Sequence, residues 1–122
     1  MATQAPKHIS NNIGALTNDF RPLFKIPEGF GGITVLEANY VSETAGTTLV
    51  QIVDLGTAGT AIAAGGTIFS SGTAVIVAGI PTELTEADTA YVGDNHWVGV
   101  SEGNVGTTGV ISIVELSFLY GL

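Results

Sequence analysis

The chain has no cysteine among its 122 residues. That removes disulfides, thiol nucleophiles and thiolate metal ligands together. Cations are almost as scarce, with Lys7, Arg21 and Lys25 the only three. Charged residues of both signs amount to 11% of the chain, against about 25% in an ordinary soluble domain. Histidine occurs twice, at His8 and His96, without H-x-H or H-E-x-x-H spacing. The signal for a zinc centre is therefore weak. EF-hand-like D-x-D-x-D-G loops and Asn-x-Ser/Thr sequons are also missing. Residues 1–10 carry no apolar core of a secretory signal, and no apolar run near them is long enough to span a bilayer.

The few charges are unevenly placed. Residues 1–32 hold the three cations against Asp19 and Glu28, giving +3 − 2 = +1. Residues 33–122 hold nine acids and no Lys or Arg, giving −9. A body without cations cannot neutralise phosphates, so neither nucleic acid nor an anionic membrane surface is an expected partner. Mutual repulsion between acidic bodies helps to keep free subunits soluble. Low charge with abundant Thr, Ser and Asn suits a surface covered by other subunits. It also follows from β propensity alone, which selects Thr.

What is present divides at about residue 32. Residues 1–32 contain Pro6, Pro22 and Pro27, three of the four prolines, each fixing φ and removing a backbone donor. Between them stand Ile13, Leu16, Phe20, Leu23, Phe24, Ile26 and Phe30. The spacing predicts an extended N-terminal arm with one helical turn over residues 12–18 and a hinge at Gly29-Phe30-Gly31-Gly32. Its apolar residues suit either a neighbour's groove or the chain's own sheet. A β-rich body over residues 33–122 follows. Strands are predicted at 33–42, 47–55, 60–64, 67–69, 73–80, 96–101 and 110–120, with turn signals between them. Residues 81–88 (PTELTEAD) predict one helical turn capped by Thr82. Seven short strands in such a pattern imply an all-β sandwich or barrel, with jelly-roll or Greek-key connections both open.

The most strongly patterned stretch is 109–120, GVISIVELSFLY. Val110, Val114, Leu116, Phe118 and Tyr120 share one face at period two, while the other face turns polar at Glu115 and Ser117. Its end, Phe118-Leu119-Tyr120-Gly121-Leu122, has no charge to hold it in water. A core strand whose last turn meets another subunit is the expected result, with Phe118, Leu119, Tyr120 and Leu122 at that interface.

Signals for chemistry are weak. Gly99-Val100-Ser101-Glu102-Gly103 matches G-x-S-x-G, but a nucleophile elbow needs a following helix and a downstream histidine. A Gly/Thr-rich turn follows instead, and no histidine lies beyond position 96. Asp88, Asp94 and Glu102 suggest at most an adventitious Ca²⁺ site between subunits. A phosphate-binding G-x-x-x-x-G-K-[ST] loop is impossible in a body without Lys, and Gly103, Gly106 and Gly109 are expected as turn glycines. Trp97 with Tyr91 or Tyr40 offers a sugar-stacking platform, although scattered aromatics more often serve as core or interface anchors. No catalytic, metal or cofactor-binding residue is assigned, and a non-enzymatic protein is expected.

The run YVGDNHWVGVSEGNVGTTGVISIVELSFLYG, together with a Pro-containing arm before a Gly/Thr-rich β body, resembles small virion structural proteins of tailed bacteriophages. The likeness is greatest to head decoration (cement) proteins, at Glu102-Gly103-Asn104-Val105-Gly106-Thr107 and the closing strand. The resemblance implies a subunit made in the host cytoplasm and mounted on the capsid surface, often as a homotrimer. It would reinforce joints between copies of the major capsid protein and carry no cofactor. In that setting Phe20, Leu23, Phe24 and Phe30 are expected to anchor the arm, with Arg21 and Lys25 meeting acidic partners. A chain starting at Gly32 would then stay folded and lose shell binding. A tail- or fibre-associated virion protein and a carbohydrate-binding, adhesin-like module are the alternatives.

Overall fold

The computed structural model describes residues 6–13, 20–43, 49–63, 66–72, 75–87, 90–103 and 112–121. These form β1 (Lys7–Ile13), β2 (Phe20–Lys25), β3 (Ile33–Ser42), β4 (Leu49–Asp54), β5 (Thr67–Ser70), β6 (Thr82–Glu86), β7 (Tyr91–Val92), β8 (Trp97–Gly103) and β9 (Ser112–Tyr120). The protein is all-β, with no helix among the described residues. A single antiparallel sheet runs β1-β9-β3-β6-β5-β4-β8-β2, with β7 added alongside β3. Within it β3 to β6 lie in the order β3-β6-β5-β4, a Greek-key arrangement.

The sheet curls into a half-barrel. Its two halves meet along a short seam, where only Phe69↔Glu86 and Ser70↔Thr85 join β5 to β6. Folding about that seam turns both inner faces towards each other. Phe24 of β2 stacks on Phe118 of β9 at 5.7 Å, although the two strands lie near opposite ends of the order. Ile33, Tyr40, Val50, Ile52, Ile68, Val98, Val100 and Leu116 fill the space between. Burial of aliphatic and aromatic area contributes roughly 25 cal/mol per Å². With no disulfide available, that burial and the backbone ladders hold the fold.

Strand β3 carries the feature that decides its faces. Its pairing with β9 slips between Val35 and Glu37, a β-bulge. Ile33 and Val35 point inward before it; Ala38, Tyr40 and Ser42 do so after it. The extra residue leaves Leu36 and Glu37 both facing solvent. Strand β9 keeps strict alternation, with Val114, Leu116 and Phe118 buried and Glu115 and Ser117 on the other face.

Several sequence expectations change. Residues 82–86 form strand β6 instead of a helical turn, because Leu84 is drawn into the core opposite Ala38 while Glu83 and Thr85 face out. Tertiary burial at period two overrides the local capping signal. Asn12 and Ile13 belong to β1; the rest of the helical turn expected over 12–18 lies outside the described residues. Of the strand expected at 73–80, residues 75–80 contribute a single bridge at Ile76 and then a turn closed by Ile80 N–H on Val77 O at 3.1 Å. Of the strand expected at 60–64, residues 60 and 61 form bends and 62 and 63 belong to no strand, while 64 lies outside the described residues. The closing strand starts at Ser112; Val110 and Ile111 lie outside the described residues.

Residues 1–32 supply both outermost strands. β1 pairs with β9, and β2 with β8, so the two segments occupy opposite ends of the strand order. All three cations of the chain therefore lie on these outer strands.

Candidate interaction surfaces

The first surface lies at the end of the half-barrel where β2 leads into β3. Gly29, Gly31 and Gly32 adopt φ of 94°, 77° and 77°, a left-handed region that residues with a Cβ avoid. The turn they form aims successive N–H groups at one point, a geometry suited to an anion. The Asp94 carboxylate fills it. Its Oδ1 accepts from Gly32 N–H at 2.6 Å, and its Oδ2 accepts from Gly29 and Gly31 N–H at 3.0 and 3.3 Å. The Gly32 bond, with those from Gly29 and Gly31, holds the Asp94 carboxyl below the ordinary carboxylate range against an opposing desolvation.

The neighbouring bonds tie the same end together. Tyr91 Oη donates to Gly31 O at 2.9 Å, Gly121 N–H to Gly32 O at 2.9 Å, and Thr34 Oγ1 to Gly121 O at 2.7 Å. Beyond β2, Ile26 exchanges both backbone bonds with the turn before β8, to His96 O and from Asn95 N–H. His96 Nδ1 lies 2.9 and 3.0 Å from the Asp54 carboxylate oxygens, and Asp54 Oδ1 also accepts from Gly56 N–H at 2.8 Å. This His–Asp pair cross-links two turns. Phe30 is displayed at the apex of the glycine turn, 52% exposed, with its ring 4.7 Å from that of Tyr120.

The opposite end has a different character. Val75, Val77 and Ile80 are 62%, 47% and 56% exposed and form an apolar ledge on the turn after Ile76. Gly79 N–H donates to Ser42 O at 2.8 Å and fastens this turn to the end of β3. Between them opens a cleft of about 220 Å³, lined by Val41, Ser42, Glu43, Gly79 and Ile113. Leu49, also exposed, begins β4 at this end.

The residues expected to bind partners are divided by the fold. Leu23 and Phe24 are half-buried against the chain's own core, and Phe118 is a core residue. Phe20, Arg21, Leu119 and Tyr120 are half-buried, and Lys25 and Phe30 are exposed. Leu122 lies outside the described residues. Of the two groups, the fold brings Phe30 together with Tyr120, and Phe24 with Phe118. The ledge at 75–80 was not expected from the sequence. Its one signal, four apolar residues within six positions (Val75, Ile76, Val77, Ile80), equally fits the strand predicted there.

The weaker chemical signals can also be placed. Ser101 sits inside β8, buried and opposite Gln51, so residues 99–103 are strand without the bend of a nucleophile elbow. Tyr40 is in the core, Trp97 is half-buried against Gly59, and Tyr91 is tied to Gly31 O. Asp94 is committed to backbone donors, and Asp88 and the Glu102 side chain lie outside the described residues. Among the described residues no group of three His, Asp or Glu converges on one point. Gly103 closes β8, and Gly106 and Gly109 lie outside the described residues. No helix among the described residues is long and apolar enough to cross a membrane. No protein-family model, curated protein or solved structure matches this chain.

Proposed function

We propose that this chain is a non-enzymatic structural protein of a virion, acting as a decoration (cement) protein on a bacteriophage head. Its partners in this reading are the major capsid protein and further copies of itself, trimers being favoured by the resemblance described above. The observation that carries the proposal is the pairing of a solvent-facing apolar ledge with an acidic, cation-free body. Val75, Val77 and Ile80 are held outward by the Gly79–Ser42 bond where an isolated domain gains nothing from them. Each aliphatic side chain removed from water at an interface contributes about 1.5–3 kcal/mol. A few such contacts per subunit, multiplied over a shell, would reinforce it without chemistry.

The arm acts differently here from a free tether. Its apolar residues brace the subunit's own sheet through Phe24, so shell contact falls to exposed groups: Phe30 and Lys25 at one end and the ledge at the other. The test is quantitative mass spectrometry of purified particles that contain the chain, with heads and tails separated. Hundreds of copies on heads are expected. A handful of copies, or recovery with tails alone, would overturn the decoration role.

A further inference from the structure

The two outermost strands are held in different ways. At the end of β2, Leu23 and Phe24 pack on the core, and Ile26 just beyond is fully buried and bonded through both backbone groups to the turn before β8. Among the described side chains of β1, Lys7, His8 and Ser10 face water and only Ile9 reaches the core, half-buried opposite Leu116. Strand β1 is attached chiefly by its ladder to β9, seven register pairs from Lys7↔Phe118 to Ile13↔Ser112. A segment with a ladder but little apolar burial opens at low cost. Chain length adds a second constraint. Six residues join Ile13 to Phe20, yet the strands they join stand at opposite ends of the strand order. Fully extended, such a link reaches roughly 25 Å at most.

We infer that copies of this chain exchange β1, the Lys7–Ile13 strand of one molecule pairing with β9 of another in the register seen within one chain. The register itself identifies the occupant. Every contact that β9 offers to its own β1 it offers equally to the β1 of an identical chain, so exchange joins molecules without a new surface. Carried across are the seven-pair ladder, Ile9 beside Leu116, and the approach of His8 Nε2 to Glu115 Oε2 at 3.5 Å. Charge supports the crossing. Residues 1–32 carry +1 and residues 33–122 carry −9, so Lys7 moves onto a neighbour's acidic body and offsets part of the repulsion between bodies. The Gly29–Gly32 turn stays fixed by Asp94, so β2 keeps its place and only the first strand crosses.

The capsid role is not a premise of this exchange, which is tested on the free protein, so its failure leaves the head role to the particle measurement. Sedimentation over a concentration series is expected to show the native chain forming dimers or larger closed rings. Ser10 and Glu115 stand opposite each other in the register on the outward face, in a chain without native cysteine. With Ser10→Cys and Glu115→Cys in one chain, a disulfide should form, which establishes that the geometry permits it. Placed in separate, co-expressed chains, the same two changes should give a covalent heterodimer in preference to either like pair. His8→Cys with Ser117→Cys repeats the test two residues along the ladder. Inserting six Gly/Ser residues between Gly14 and Asp19 leaves the described contacts in place and frees β1 to return to its own β9. Association should weaken roughly tenfold or more. A native chain that is monomeric throughout overturns the inference. So does an oligomer whose separate-chain cysteines stay unlinked, or one indifferent to the lengthened link.

Discussion

The two ends of the half-barrel are built on opposite plans. At the Gly29–Gly32 end, polar side chains are engaged by fixed partners: Asp94 by three backbone N–H groups, Tyr91 and Thr34 by carbonyl oxygens, and Asp54 by the Gly56 N–H and the His96 ring. At the Val75–Ile80 end, aliphatic side chains stand in water and a cleft lies open beside them. Satisfying buried and half-buried polar groups at one end fixes its shape. Leaving apolar groups unsatisfied at the other costs stability in isolation and provides attraction for a partner. Rigidity and stickiness are thus separated within one small sheet.

The most damaging change should be removal of residues 1–31. That chain loses both outer strands and the Phe24 ring stacked on Phe118. It should fail to give a cooperative melt by circular dichroism, contrary to the sequence expectation of a self-sufficient body from Gly32. A sharp transition near that of the full chain would show that the arm is not needed. Next comes Phe118→Ala, which empties the contact between the two halves and should cost about 3–5 kcal/mol in denaturant unfolding. Gly32→Ala follows at about 1–3 kcal/mol for the left-handed backbone alone. Its added Cβ would also stand 2.5 Å from Tyr91 Oη and Val92 O.

Acid should separate the two ends. The Asp94 carboxyl is held below its ordinary value by the Gly32, Gly29 and Gly31 N–H groups. Its contribution is complete above the ordinary aspartate pKa of about 3.9. It is lost as pH falls from there through the lower folded value. Asp94→Asn should lower stability at neutral pH and flatten the decline below about pH 4. An unchanged acid limb would mean that other carboxylates govern it. The smallest effect belongs to the apolar end. Val77→Ser and Ile80→Ser should change stability by no more than about 0.5 kcal/mol, while reducing binding of an apolar-surface dye. A large destabilisation would show that the ledge is part of the core.

Much of the architecture was legible in the sequence. Residues 33–42 and the alternation from Val114 to Phe118 announce strands through β-branched and aromatic residues at period two, and both are found. The bulge that exposes Leu36 was not legible, since it depends on a register slip against a strand some eighty residues away. Strand β6 was hidden because Thr82 with following acids carries the same letters as a helix start, and only Leu84 meeting Ala38 decides between them. The glycine hinge was visible in Gly29-Phe30-Gly31-Gly32. Its partner was not, because Asp94 reaches it across 62 to 65 residues of sequence. The arm's apolar residues were visible, but spacing alone did not say which groove they fill.

The position of the cations has a consequence for how the protein survives at high concentration. Among the described strands, β1 and β2 are the last in the order at either side, where an exposed row of backbone groups invites another strand to add. Lys7 lies on one, and Arg21, Lys25 and the donor-less Pro22 on the other. Lateral addition of a like copy would bring ammonium and guanidinium groups towards one another and meet a proline that cannot extend the ladder. Like charges and a donor-less proline on the outermost described strands oppose fibrous, amyloid-like growth, a hazard for a Thr- and Val-rich chain with so few charges.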